Sequence, residues 1–123
     1  MLKMFYLNIF LLIISLTISF AIAGKPKLMP FNGELQELVE NITYPLSCIL
    51  ISGSKPIFFE WYRNDQRILE QSNQLKIDNQ EQISILSLSN VQTIDSGRYE
   101  CRAKNQFGQD SIVTNILVKG LYL

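Results

Sequence analysis

The sequence predicts an all-β fold, a sandwich of short strands, and three observations carry that expectation. Short segments with alternating apolar and polar residues recur from Lys27 to Lys119, and nothing in that stretch sustains a helical period. Gly, Pro, Asn, Asp and Ser separate the segments, which suits turns. The chain holds two cysteines, Cys48 and Cys101, which bracket Trp61, and the second closes the run Asp95-Ser96-Gly97-Arg98-Tyr99-Glu100-Cys101.

The strands are predicted, in order, at residues 26–31, 35–40, 43–52, 57–63, 67–69, 74–78, 83–89, 97–105 and 110–119. Neighbouring side chains on a strand point to opposite faces. If Cys48 and Cys101 meet in the interior, residues of the same parity join them there: Leu46 and Leu50 beside Cys48, and Tyr99 and Ala103 beside Cys101. Phe59 then accompanies Trp61, Leu86 and Leu88 line their strand, and Ile116 with Val118 complete the last one. Arg98, Glu100, Arg102 and Lys104 are left facing outward, a wholly charged row that agrees with the register. The last strand is expected at a sheet edge, open to backbone pairing with another chain.

Lys3, an apolar run from Met4 to Phe20 and Ala21-Ile22-Ala23 before Gly24 have the layout of a secretory signal peptide, residues 1–23. A retained anchor is the competing reading, because the run approaches the roughly 20 residues that span a bilayer. Asn8, Ser15, Thr17 and Ser19 interrupt the run, Lys3 is the only charge before it, and small residues stand at −3 and −1, all of which favour cleavage. Export through an oxidising compartment pairs Cys48 with Cys101, the one connectivity two cysteines allow. Cleavage leaves 100 of the 123 residues, enough for one domain over 24–120 with a short tail at 121–123. No second spanning segment is expected after it.

At Cys48, Trp61-Tyr62-Arg63-Asn64, Leu86-Ser87-Leu88, Asp95 to Cys101, Ala103, Asn105 and Gly108, the chain resembles the I-set branch of the immunoglobulin superfamily. That resemblance implies two antiparallel sheets with the disulfide running between them, Trp61 packed on the sulfurs, and Tyr99 as a tyrosine corner bonding back to the backbone. Pro26 to Phe31 and Cys101-Arg102-Ala103-Lys104-Asn105 are similar to domains of the Down syndrome cell adhesion molecule family. The likeness implies extracellular recognition, often homophilic, in neuronal wiring or immunity.

Two faces are candidate interfaces. Ile49, Ile51, Ile83 and Ile85 fall on the outside of neighbouring strands and suggest an apolar patch for another copy or a neighbouring domain. On the opposite sheet Phe58, Glu60, Tyr62, Glu100 and Arg102 face out, a mixture of aromatic and charged groups suited to recognition. Asn41-Ile42-Thr43 is an N-glycosylation acceptor in an expected surface loop.

Catalysis is not expected. The chain has no histidine, which excludes His-based proton transfer, Ser-His-acid and Cys-His nucleophiles and every His-containing metal site. Its thiols are committed to a bridge, and it has no phosphate-binding glycine loop. Eleven basic and eleven acidic side chains balance, and loss of Lys3 leaves ten against eleven, so no charge excess points to nucleic acid. No cofactor, metal or small-molecule substrate is expected. The sequence therefore predicts an extracellular or cell-surface module that binds protein, through a second copy or an unlike partner. The alternative is a free-standing secreted binder or decoy; a purely structural unit inside the cell conflicts with the export signal.

Overall fold

The computed structural model describes residues 3–4, 6–13, 24–69 and 72–120. The expected processing bond after Ala23 and the tail at 121–123 involve residues outside that set. Residues 6–13 are helical, and among the described residues no helix is long and apolar enough to cross a membrane.

Nine strands follow: β1 (Lys27–Leu28), β2 (Leu35–Val39), β3 (Tyr44–Ser52), β4 (Phe58–Arg63), β5 (Gln66–Arg67), β6 (Leu75–Asn79), β7 (Ile83–Leu88), β8 (Gly97–Asn105) and β9 (Gly108–Lys119), with a 3-10 turn at Thr93–Asp95. They form a four-stranded sheet in the order β1-β3-β7-β6 and a five-stranded sheet in the order β2-β9-β8-β4-β5. All pairs are antiparallel except β2 with β9, which run parallel from Leu35↔Asn115 to Val39↔Lys119. The chain crosses from one sheet to the other between β1 and β2. Gly33 makes that crossing at φ +96, a conformation most side chains would resist.

This topology corrects three expectations. The last strand is not an edge, because β2 covers its C-terminal half. The first strand shrinks to Lys27–Leu28, and the segment expected at 67–69 is the pair Gln66–Arg67, with Leu69 exposed. Asn64 (φ 48) and Asp65 (φ 66) explain that shift: two left-handed residues close a tight hairpin that pairs Arg63 with Gln66.

The core lies where the parity argument puts it. Leu46, Cys48, Phe59, Trp61, Leu86, Leu88, Tyr99, Cys101, Ala103, Ile116 and Val118 are buried, joined by Leu28, Leu38, Val91 and Ile112; Leu50 is only half-buried. The Cys48 and Cys101 sulfurs are bonded at 2.05 Å, closing 53 residues. Constraining the unfolded chain over a loop of that size contributes about 4 kcal/mol.

Trp61, 1% exposed, donates its indole N–H to Ser84 Oγ at 2.8 Å, and the Ser84 hydroxyl donates to Asn79 Oδ1 at 2.5 Å. Tyr99 forms the expected corner by donating its hydroxyl to Asp95 O at 2.5 Å, and burial pushes its phenol above the ordinary range. The Asp95 carboxylate in turn accepts the Gln92 N–H at 2.8 Å, which fixes the turn that carries this acceptor.

Candidate recognition surface

Alternation along β4 and β8 sends Phe58, Glu60 and Tyr62 outward beside Arg98, Glu100, Arg102 and Lys104. The register places Phe58 opposite Lys104, Glu60 opposite Arg102 and Tyr62 opposite Glu100, while the β4–β5 hairpin brings Arg67 beside Tyr62. Glu100 therefore stands between basic neighbours on its own strand, and Glu60 among basic neighbours on adjacent strands.

The contacts follow that grid. Glu100 accepts from Arg98 Nη1 at 3.2 Å and from Arg102 Nε. The Arg102 guanidinium lies 3.8 Å from the centre of the Tyr62 ring, a cation–π contact. The Tyr62 hydroxyl donates to Glu60 Oε2 at 2.7 Å; Lys104 Nζ reaches the same oxygen at 3.1 Å, and Arg67 Nη2 lies 3.7 Å from Oε1. Arg98 also pairs with Asp65 at 2.9 Å.

Tyr62, Glu100 and Arg102 are thus brought together as one cluster. Glu100 faces outward as its parity requires, yet it is only 5% exposed because the guanidinium groups cover it. Arg67, Arg98 and Lys104 belong to the cluster although none stood among the candidate interface residues. Arg98 had the right parity, whereas Arg67 required the hairpin register.

The electrostatics match the geometry. Bonding from Tyr62, against some burial and with help from Lys104 and Arg67, holds the Glu60 carboxyl below the ordinary carboxylate range. Burial pushes Glu100 upward, but the Arg102 and Arg98 guanidiniums outweigh it and hold that carboxyl low as well. Glu100 reciprocally raises Arg102. Glu60 and Glu100 sit low in the surface with the cationic heads of Arg67, Arg98, Arg102 and Lys104 over them, while Asp65 pairs with Arg98 from an exposed position. Phe58 stands beside this network 63% exposed. The result is a charge-compensated face whose polar heads are already positioned and whose aromatic groups are available for contact.

On the other sheet Ile49 and Ile83 are directly paired, and Ile85 lies opposite Ser47 one step along the same face. Ile49, Ile83 and Ile85 are half-covered, whereas Ile51 is 52% exposed. The apolar stripe therefore exists but presents less surface than four open isoleucines. Asn41 occupies an exposed turn at φ 70, its Oδ1 accepting from Gln92 Nε2 at 2.9 Å, and Thr43 of the same motif is exposed. Among the described residues no group of three or more Cys, Asp or Glu side chains is placed to hold a metal ion.

Comparison with known proteins places this geometry. The chain is 31% identical over 93 residues to Titin of Drosophila melanogaster, covering 75% of this chain and, to the nearest per cent, 0% of that protein. It is 31% identical over 81 residues to Cell adhesion molecule DSCAM of Homo sapiens, covering 66% of this chain and 4% of that protein. Pro-neuregulin-1, membrane-bound isoform, of Xenopus laevis is 26% identical over 102 residues, covering 78% of this chain and 15% of that protein. The chain thus spans only a small part of each of these relatives.

Among solved structures, the I-band fragment I67-I69 from titin superposes with a TM-score of 0.70 at 25% identity, over 77% of this chain and 33% of that one. The Dscam1 Ig7 domain, isoform 5, matches with a TM-score of 0.70 at 22% identity, over 76% of this chain and 96% of that one, and so supports the fold alone. These relatives include a cell adhesion molecule as well as titin, and the family is one of binding and scaffolding rather than catalysis. The sequence profile of the Immunoglobulin I-set domain matches residues 34–118, most of the folded region. The chain belongs to the immunoglobulin I-set family.

Proposed function

We propose that this chain is an extracellular recognition module that binds a cell-surface protein through the outward face of its five-stranded sheet. The observation that carries this reading is the cluster around Glu100: two acids held low beneath guanidinium and ammonium heads, with Tyr62 in the network and Phe58 exposed beside it. Such a face has already fixed its polar groups, so docking costs little further side-chain ordering. Aromatic and arginine side chains of this type supply most of the energy at protein interfaces.

Export is supported by the leader-like sequence at 1–23 and agrees with the disulfide, since oxidising compartments preserve such bridges. In this reading Asn41 carries an N-linked glycan. It lies on the turn after β2, near the chain's exit from β9, because Glu40 N–H donates to Lys119 O at 3.1 Å.

Secreted protein displayed against a panel of cell-surface ectodomains tests the assignment. The expected result is a partner whose affinity falls at least about tenfold with Arg67→Ala and Lys104→Ala combined, and stays within about twofold with Ile49→Lys and Ile85→Lys combined. The opposite pattern moves recognition to the four-stranded face. Retention of the protein inside the cell, or no mobility change on deglycosylation relative to Asn41→Gln, contradicts the export and glycan assignments respectively.

A further inference from the structure

Among the described residues the four-stranded sheet ends in β6, whose outer side faces no strand, whereas β1 at the opposite end is only two residues long. Five-residue edges are normally blunted because their unpaired backbone groups invite other chains. Which groups point outward on β6 follows from the ladder. Gln80 N–H donates to Ile83 O at 2.8 Å and Ser89 N–H donates to Gln74 O at 2.7 Å, so the even-numbered residues bond β7. The odd-numbered residues turn their N–H and C=O to the open side. Those of Leu75 are occupied by Ser72, which leaves Ile77 and Asn79.

The side chains that flank this position are Lys76 and Asp78, both exposed and neither in a salt bridge among the described residues. Asp78 accepts only a 3.2 Å bond from Gln80 Nε2. Reversed and laid against itself with Ile77 on the two-fold axis, the sequence Leu75-Lys76-Ile77-Asp78-Asn79 sets each lysine opposite the other copy's aspartate. These two pairs fall at non-hydrogen-bonded positions, where opposing side chains approach most closely. The same charges would repel a strand of different pattern.

We propose that β6 is a self-pairing edge: two copies of this chain join antiparallel about Ile77, merging their four-stranded sheets through reciprocal Ile77 backbone bonds and two Lys76–Asp78 pairs. Beside β6 lies a groove of about 190 Å³, lined in part by Ile68, Leu69 and Ile77. Glu60, Arg67 and Asn79 also line it, so the second copy's Ile77 side chain would meet a mixed wall of apolar and polar groups. The other five-residue edge, β2, lacks this complementarity, because the same operation centred on its middle residue sets Glu37 against Glu37. The contact is small and belongs to the weak, reversible class of association. The groove shares Glu60 and Arg67 with the surface around Glu100, whereas the strand pairing and the Lys76–Asp78 pairs use neither residue.

Sedimentation of the secreted full-length chain over a range of concentrations tests this directly. Wild type is expected to dimerise reversibly, and Lys76→Asp and Asp78→Lys are each expected to self-associate at least about tenfold more weakly. An equimolar mixture of the two variants, one with two acids at the edge and the other with two bases, restores association, as does the double exchange K76D with D78K in one chain. A wild type that stays monomeric, single variants that associate unchanged, or a mixture that remains monomeric overturns the proposal. So does dimerisation abolished by Ile49→Lys and Ile85→Lys but untouched by the edge variants. Circular dichroism melts of each variant, expected to overlay wild type, separate loss of pairing from loss of fold.

Discussion

Ser84 joins the two sheets by accepting the Trp61 indole N–H while donating to Asn79. Replacing it with alanine leaves a buried donor without an acceptor. Ser84→Ala should lower unfolding free energy by about 1–3 kcal/mol, measured by urea denaturation, and an unchanged midpoint would contradict the role assigned to this bond. Ser84 shares the parity of Leu86 and Leu88, yet its polar side chain gives no sign of burial in the sequence, since only the indole opposite makes the position favourable. Glu100 shows the same limit in reverse. Its outward direction was legible from alternation, whereas its burial arises from Arg98 and Arg102 folding over it, which no periodicity encodes. Cys48, Trp61, Tyr99 and Cys101 were readable because each fills a place that few other residue types can.

At the scale of elements, alternation located the strands and their inner faces but not their neighbours. The parallel β2–β9 pair, which turns an expected edge into an interior strand, depends on a chain crossing at Gly33 that leaves only a glycine in the sequence. Arg67 joined the candidate surface for a similar reason, because two left-handed residues set the β4–β5 register. The ion network that β4, β5 and β8 assemble makes stability depend on acid. Glu60 and Glu100 are held below their ordinary values in the fold, so each bonds fewer protons folded than unfolded. Their stabilisation is fully present above the ordinary glutamate range, near about pH 4.3, and is lost as pH falls through the depressed folded values. Urea midpoints should therefore decline between neutral pH and about pH 3, with a shallower decline in Glu60→Gln combined with Glu100→Gln; equal slopes for the two proteins would remove these groups as the cause.

For the whole molecule, the disulfide, the Trp61 bond and the Tyr99 corner hold two sheets in fixed relation, and that rigidity is what lets a β-sheet face serve as a preformed surface. The family was legible from those same residues, while the partner was not, because recognition depends on outward side chains that the core leaves free to vary. Phe58 separates the two roles most cleanly: it lies on the proposed face, and at 63% exposure it adds little to the core. The deciding measurement is the partner affinity of Phe58→Ala taken together with its thermal midpoint. A fall in affinity of about tenfold or more with the midpoint unchanged is predicted for an interface anchor. Undiminished affinity, or a loss only in proportion to unfolding, would contradict recognition through the five-stranded sheet.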